Sequence, residues 1–301
     1  MSAKTKLSFN QMSYKNKEKM LAYILLSPVL IIYIVFIFYP VINGIINAFT
    51  DFSIYNSNPS FVFLDNFKEL LSSQDFFVIL IRTIIFVVIT VTIQYVLGLA
   101  FALLLSLELP GTAWLRNFAM LPWVLPMTAA VLSFNWIFQA DYGLLNNFLR
   151  AIGKPELVKY WFGDINLAFP AVVIIHVWRN VPFYGLVLYA GLKGIPKDLY
   201  EAADLDGASK WQFFQRIILP LIKKQSIVVI LLHILFTFNN TDIILLATGG
   251  GPVGITNVMA VNTYNLIWDQ YKFGVGTASA VVMFILLIPV TLISLRSSNK
   301  E

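Results

Sequence analysis

Tyr200-Glu201-Ala202-Ala203-Asp204-Leu205-Asp206-Gly207-Ala208-Ser209, followed by Leu219-Pro220, is a polar, helix-forming island between two long apolar stretches. Ile195-Pro196-Lys197-Asp198 reads as the start of its first helix. Proline suits a first turn, and Asp198 complements the positive end of the helix dipole. Glu201, Ala202, Ala203 and Leu205 continue the helix. Gly207 ends it, because glycine enters a left-handed turn without strain. Ser209 caps a second helix, and Gln212, three residues on, completes a capping box. That helix carries Phe213, Phe214, Ile217 and Ile218 and is limited by Pro220. The pattern predicts helix, tight turn, helix, with apolar residues that the segment cannot bury alone.

Outside the island the chain is strongly apolar. Of 301 residues, 58% are hydrophobic and 12% charged, with mean hydropathy +0.75. Soluble domains carry about 25% charged residues. Charge this sparse cannot cover a water-soluble body, so the chain reads as an integral membrane protein. A span needs roughly 20 apolar residues. Six such runs are present: Leu21–Phe49, Phe76–Leu107, Phe118–Phe138, Leu167–Leu192, Ser226–Ala247 and Phe273–Leu295. The second is long enough to tilt or to pass beyond the bilayer. The predicted fold is all-α: a polytopic transmembrane helical bundle with six spans and a helix-turn-helix loop over residues 195–220. A polar arm, residues 1–20, precedes the transmembrane domain, residues 21–301.

An even number of spans puts both termini on one side. Assigning that side to the cytosol leaves fourteen Lys and Arg inside and five outside, with Arg82 and Arg179 within spans. That is a positive-inside bias. Lys15, Lys17 and Lys19 lead into a run longer than a signal core, and no small-x-small cleavage site follows it. The first run therefore reads as a membrane helix, not a cleaved signal.

Several chemistries are disfavoured. With no cysteine there is no disulfide framework and no thiolate metal site. Two histidines alone argue against a zinc enzyme. His176 and His233 sit singly within apolar runs, and no nucleophile motif accompanies them. No catalytic residue and no metal ligand is expected, and no nucleic acid partner. Gly249-Gly250-Gly251-Pro252 lacks the Lys-Ser or Lys-Thr that a phosphate loop requires, and it reads as a loop turn.

Other stretches carry structural signals. Leu109-Pro110-Gly111 marks a tight inner turn. The outer loop Asp51–Gln74 is rich in Asn, Ser and Asp, with Phe61 to Phe67 folding onto the membrane surface. A second outer segment, Gln139–Asn166, carries charges of both signs. Leu121-Pro122-Trp123-Val124-Leu125-Pro126 holds two prolines that remove backbone donors and kink or break a helix. In lipid such a stretch faces protein or water. His233, Thr237 and Asn240 share one helical face. Polar groups within a bilayer turn towards a cavity or bond a neighbouring helix, at about 0.6 kcal/mol on average. Asp242, near the outer end of span five, reads as water-facing.

The island itself admits two readings. An amphipathic helix pair can lie on the inner leaflet. It can also dock into a groove on a soluble subunit.

Glu201-Ala202-Ala203, with Gly207 six residues after Glu201 and Leu219-Pro220 beyond, resembles the signature loop of permease subunits of binding-protein-dependent ABC importers. Further motifs are similar to the maltose-type carbohydrate permeases. They are Leu121 to Pro126, Val177-Trp178-Arg179-Asn180-Val181-Pro182-Phe183, Ile195-Pro196-Lys197-Asp198-Leu199-Tyr200, and Asn239-Asn240 with Thr248-Gly249-Gly250-Gly251-Pro252. They occur in the family's order between Leu21 and Leu295. The resemblance implies an ABC importer type I permease fold in which the island is a coupling loop. Glu201, Ala202, Ala203, Asp206, Gly207, Leu219 and Pro220 would engage a cytosolic ATPase, whose closure rocks the helices.

The same resemblance implies sugar contacts at Trp123, Met127, Asn180 and Phe183, and from the helix bearing His233, Thr237 and Asn240. His233 and Thr237 depart from the small polar and amide residues usual in maltose carriers. That separates the cargo from maltose itself and leaves a carbohydrate, most simply an oligosaccharide. The implied partners are a second homologous permease subunit, two ATPase subunits, an extracellular solute-binding protein that meets outer loops including Asp51–Gln74, the carbohydrate, and the lipid bilayer. No cofactor is expected in this chain, and ATP and Mg belong to the ATPase. The chain itself would catalyse nothing. The implied location is the cytoplasmic (inner) membrane of a prokaryote, with both termini cytosolic. His176, Arg179 and His233 together keep open an acidic sugar or a sugar-phosphate-like solute. A stand-alone secondary carrier or channel is the alternative of another class, and the absence of a second copy of the loop weighs against it.

Overall fold

The computed structural model describes residues 14–56, 58–107 and 109–298. Residues 1–13 of the expected polar arm lie outside the described residues, and so do Lys4, Lys6 and Lys300 of the charge count. The rest of the arm is no arm: α1 begins at Tyr14.

No named strand forms among the described residues. Helix α1 (Tyr14–Tyr33), a π-helical turn (Ile34–Phe38) and α2 (Tyr39–Asn47) make one rod. The wide turn precedes Pro40, whose ring crowds the carbonyl of Phe36 and which has no N–H to donate. Widening the helix there relieves both. No residue of α1 is buried within the chain. The rod joins the bundle at its C-terminal end. There the Asn66 side-chain amide donates to the carbonyls of Ala48, at 2.9 Å, and Thr50, at 2.8 Å.

Asn66 lies on α3 (Asp65–Ser72), which leads into the long α4 (Phe76–Ser106). The third expected span then departs from prediction. It is not continuous over Phe118–Phe138. Helices α5 (Thr112–Ala119) and α6 (Leu121–Val124) approach, and α7 (Met127–Ile137) leaves at 94° to them. The cause is local. Leu125 and Pro126 are extended, with ψ of 139° and 136°. A residue before proline avoids the helical region, and Pro126 then heads the next helix.

Next come α8 (Leu144–Ala151) and a short 3₁₀ turn (Pro155–Leu157). They are followed by α9 (Ala168–Lys193). Helix α10 (Lys197–Leu205) and α11 (Lys210–Phe213) form the helix-turn-helix. A second π-helical turn (Phe214–Ile218) and α12 (Leu219–Leu221) continue it. Pro220 therefore does not stop the helix as expected. As at Pro40, a wide turn accommodates the proline, and the chain bends by 66° into α13 (Lys223–Phe238).

The fifth expected span, Ser226–Ala247, is also broken. Helix α13 ends at Phe238, and a short α14 (Asp242–Ala247) resumes after Asn239-Asn240. The Asn239 amide turns back to the Leu235 carbonyl at 2.9 Å, the local competition by which asparagine ends helices. Helices α15 (Met259–Trp268) and α16 (Phe273–Ser298) complete the chain. Among the described residues, four helices are long and apolar enough to cross a membrane, or up to six if each bent pair counts as one span.

The centre of the bundle is the α4–α9 pair. A Cβ on Gly98 would lie 2.3 Å from Cβ of Tyr184, and one on Gly185 would lie 2.3 Å from Cδ1 of Phe101. One glycine on each helix thus lets the two backbones close up, as small residues do in membranes. Helix α4 also anchors the loop after α14. Arg82 donates to the Gly254 and Asn257 carbonyls. The Thr83 hydroxyl accepts from the Met259 amide at 2.8 Å while donating to the Ile79 carbonyl at 2.7 Å.

Candidate functional site

Two places have the geometry of a site. The first is the helix-turn-helix. Ser209 accepts from the Gln212 amide at 3.3 Å, and the Gln212 side chain accepts from the Ser209 amide at 2.8 Å. Gly207 takes φ +69° with nothing within 4 Å of an added Cβ, so its backbone angle and not crowding selects glycine. Tyr200 meets Phe213 with ring centroids 4.7 Å apart, closing one helix on the other.

The apolar residues of the second helix turn inwards. Phe213, Phe214 and Ile218 pack with Leu192, Ile195 and Ile222 in the core beneath. They therefore do not form a lipid-facing stripe. What the segment presents outwards is Glu201, Ala202, Asp206 and Gly207, with two large apolar side chains that the sequence reading did not single out. Leu205 is 89% exposed and Trp211 64%. Ala203 is buried and faces the bundle, Leu219 is half-buried, and Pro220 is exposed.

The second place is a cavity of about 720 Å³ where the broken helices meet α9. Trp123 and Met127 come from either side of the Leu125-Pro126 break. Helix α9 contributes His176, Arg179, Asn180 and Phe183. His233 and Phe236 come from α13, Asn239 to Asp242 from its broken end, and Phe284, Leu287, Ile288 and Thr291 from α16. Six of the seven sequence-predicted contacts are thus brought together. Thr237 is not among the lining residues and is buried within the bundle. The shared face holds only in part: Thr237, within α13, packs into the bundle, and Asn240 lies beyond the end of α13 and reaches the cavity from an irregular link.

One wall is aromatic. Trp123 and Phe183 stack at 5.5 Å with planes 25° apart, and Phe183 meets the His233 ring at 5.4 Å. Beside it lie polar groups. Arg179 Nε, His233 Nδ1 and Asn240 Oδ1 are buried and have no hydrogen-bond partner among the described residues. Buried polar atoms are rarely left so. Arg179 also reaches the Leu125 carbonyl at 3.4 Å, tying α9 to the break. Asn180 is held by its side-chain amide, which donates to the His176 carbonyl at 2.8 Å. A flat aromatic face next to an unpaired donor, an unpaired acceptor and an unpaired imidazole nitrogen suits a ligand that is apolar on one side and rich in hydroxyls on its rim.

Hydropathy gave no sign of the α16 wall or of Phe236, because their side chains differ little from lipid-facing ones. Arg179 and Asp242 were visible as charges within an apolar run. Only the fold puts them on one cavity.

Residues 17–300 match a family described as binding-protein-dependent transport system inner membrane component. The chain is 36% identical over 286 residues to the trehalose/maltose transport system permease protein MalF of Thermococcus litoralis, covering 94% of this chain and 95% of that one. It is 34% identical over 280 residues to the sulfoquinovosyl glycerol transport system permease protein SmoG of Agrobacterium fabrum, covering 93% and 90%. The fold matches, with TM-score 0.82 and 20% identity, a chain in a crystal structure of a bacterial alginate ABC transporter in complex with an alginate pentasaccharide-bound periplasmic protein, covering 95% of this chain and 96% of that one. The matched region takes in both broken helices, the α9 wall and the helix-turn-helix, and the chain belongs to the family of binding-protein-dependent transport system inner membrane components.

Proposed function

We propose that this chain is the translocation subunit of an ATP-driven importer of sugars, most simply oligosaccharides. The observation that carries the reading is the cavity at the helix breaks, with its stacked Trp123–Phe183 wall beside Asn180, His233 and Asn240. Sugar rings offer C–H faces to aromatic side chains and hydroxyls to amides. The relatives named for sugars support the same class.

In this reading Glu201, Ala202, Asp206 and Gly207 enter a cleft on a cytosolic ATPase, and Leu205 and Trp211 bury their exposed surfaces there. Ala203, Leu219 and Pro220 support the loop. Two such ATPase subunits, a second permease of similar fold and an external solute-binding protein complete the assembly. ATP and Mg sit in the ATPase, and this chain needs no cofactor of its own. Both termini and the helix-turn-helix face the cytosol, which agrees with fourteen cationic side chains on that side against five on the other.

Alternating access then has a structural basis. The helix-turn-helix runs through α12 and a 66° bend directly into α13, which carries His233 to the cavity. A push on the loop is delivered to the cargo wall along one helical path.

A second reading, an acidic sugar, rests on Arg179, whose guanidinium lines the cavity with a buried and unpartnered Nε. Uptake into vesicles loaded with ATP, with neutral and uronate-bearing oligosaccharides in competition, tests both. Uptake of a sugar that weakens in Trp123→Ala and Asn240→Ala is the expected result. Selective loss of the uronate sugar in Arg179→Gln establishes the acidic reading. Failure of every sugar to compete refutes the class.

A further inference from the structure

We propose that the groove between the start of α13 and the end of α16 holds the headgroup of an anionic phospholipid. The groove has a volume of about 510 Å³ and is separate from the cargo cavity, with which it shares no lining residue. Lys223 and Lys224 of α13 and Arg296 of α16 line it. No acidic residue lines it. Its walls are the aliphatic side chains of Leu221, Ile227 and Ile293, with Pro220 at one end.

The charges there are uncompensated. None of the three cations forms an ion pair among the described residues, whereas Lys68 and Lys272 at the opposite end of the bundle pair with Asp65 at 3.1 Å and Glu69 at 2.6 Å. The first turn of α13 carries no acidic residue, and its N-cap makes no side-chain bond. The positive end of that helix dipole adds to the lysines instead of offsetting them. A preference for cations on the cytosolic side explains lysines at a span end. It does not explain why side chains far apart in sequence meet around one concave, aliphatic-walled groove.

The ligand chemistry follows from both halves. A phosphodiester offers charge-assisted hydrogen bonds to the cations that line the groove. The walls offer an acyl chain an apolar track: Leu221 is 48% and Ile293 55% exposed. A free phosphate uses only the first half. Basic pockets between the inner ends of membrane helices are a recurrent way of holding anionic headgroups. The proposal is independent of the cargo. The loop and bend that would transmit ATPase motion lie at its edge, at Pro220 and Leu221, so a bound lipid would brace the joint.

The test uses the full chain purified in the assembly it forms and reconstituted in nanodiscs of mixed phosphatidylglycerol and phosphatidylcholine. Lipids retained after re-extraction are counted by native mass spectrometry. Wild type should retain phosphatidylglycerol selectively. The Lys223→Gln, Lys224→Gln, Arg296→Gln triple variant should lose that retention by on the order of tenfold, and Lys223→Arg with Lys224→Arg should keep it. Equal retention of the two lipids by wild type overturns the proposal, as does unchanged retention in the triple variant. Binding of inorganic phosphate with no lipid preference also overturns it. If the triple variant does not fold, wild-type selectivity and its loss at high salt decide instead. A photo-crosslinker at Ile293 should capture lipid, and capture of a companion polypeptide refutes the assignment.

Discussion

The side-chain amide of Gln94 on α4 lies 2.9 Å from Nδ1 of His176 on α9 and 3.0 Å from the His176 carbonyl oxygen. The carbonyl can only accept, so the amide nitrogen donates, and Nδ1 accepts in its turn. His176 therefore carries its proton on Nε2. Asn180, which lines the cavity, donates to the same carbonyl. One buried glutamine thus sets the tautomer of a cavity histidine and the carbonyl that positions a cavity asparagine.

Replacing Gln94 by Met keeps the volume and removes the donor. His176 Nδ1 then keeps only the longer contact from the Asn180 amide, at 3.3 Å, and the lost hydrogen bond costs about 1 kcal/mol. Thermal unfolding of the purified variant in detergent should begin several degrees lower. An unchanged transition would show that the pair does not stabilise the α4–α9 contact.

The α4–α9 approach depends on Gly98, where an added Cβ would lie 2.3 Å from that of Tyr184. Gly98→Val must force the helices apart or move Tyr184, which is fully buried. Overpacking of this kind costs about 1–3 kcal/mol. Size-exclusion profiles should show little monodisperse protein. Gly44→Val is the control, since nothing lies within 4 Å of its Cβ position.

At Gly207 the backbone and not the packing is selective. A β-branched residue at φ +69° is strained by roughly 1–2 kcal/mol, whereas asparagine enters that region readily. Gly207→Val should reduce ATP-coupled uptake and co-purification of the ATPase, and Gly207→Asn should retain both. Equal loss in the two variants would mean that contact at the glycine, not the turn, is what matters.

Trp123→Ala removes one face of the stacked wall. Aromatic pairs contribute about 0.5–1.5 kcal/mol beyond burial, so the transport KM for a sugar should rise between twofold and tenfold. Phe183→Ala should act in the same direction, and the double variant should fall short of the sum because the rings contact each other. Strict additivity in this cycle would separate the two side chains functionally.

Two of the six apolar runs, those of α4 and α9, were legible to within a residue at each end. The span read as Leu167–Leu192 is α9, Ala168–Lys193. The capping box at Ser209 and the left-handed turn at Gly207 were equally legible, because each is decided by neighbours a few residues away. The breaks were only half legible. Two prolines foretold a disturbance near Leu125 but not a 94° turn. Asn239-Asn240 gave no sign of ending α13, since a polar pair near a span end also fits a continuous helix. Thr237 shared a nominal face with His233, yet it packs inside the bundle.

The sequence by itself determined that this chain lives in a membrane and that it exposes one charged helix-turn-helix between apolar runs. It also determined where several of that element's turns and caps fall. Those features rest on transfer from water and on local backbone chemistry, which a one-dimensional reading contains. Only the tertiary structure decided which sides of the apolar helices meet one another and which line the cavity. Lipid tails are as apolar as leucine, so a span facing protein and a span facing lipid look alike in hydropathy. The glycine contacts and the Gln94–His176 pair choose the inner face instead, and each involves residues that only folding brings together.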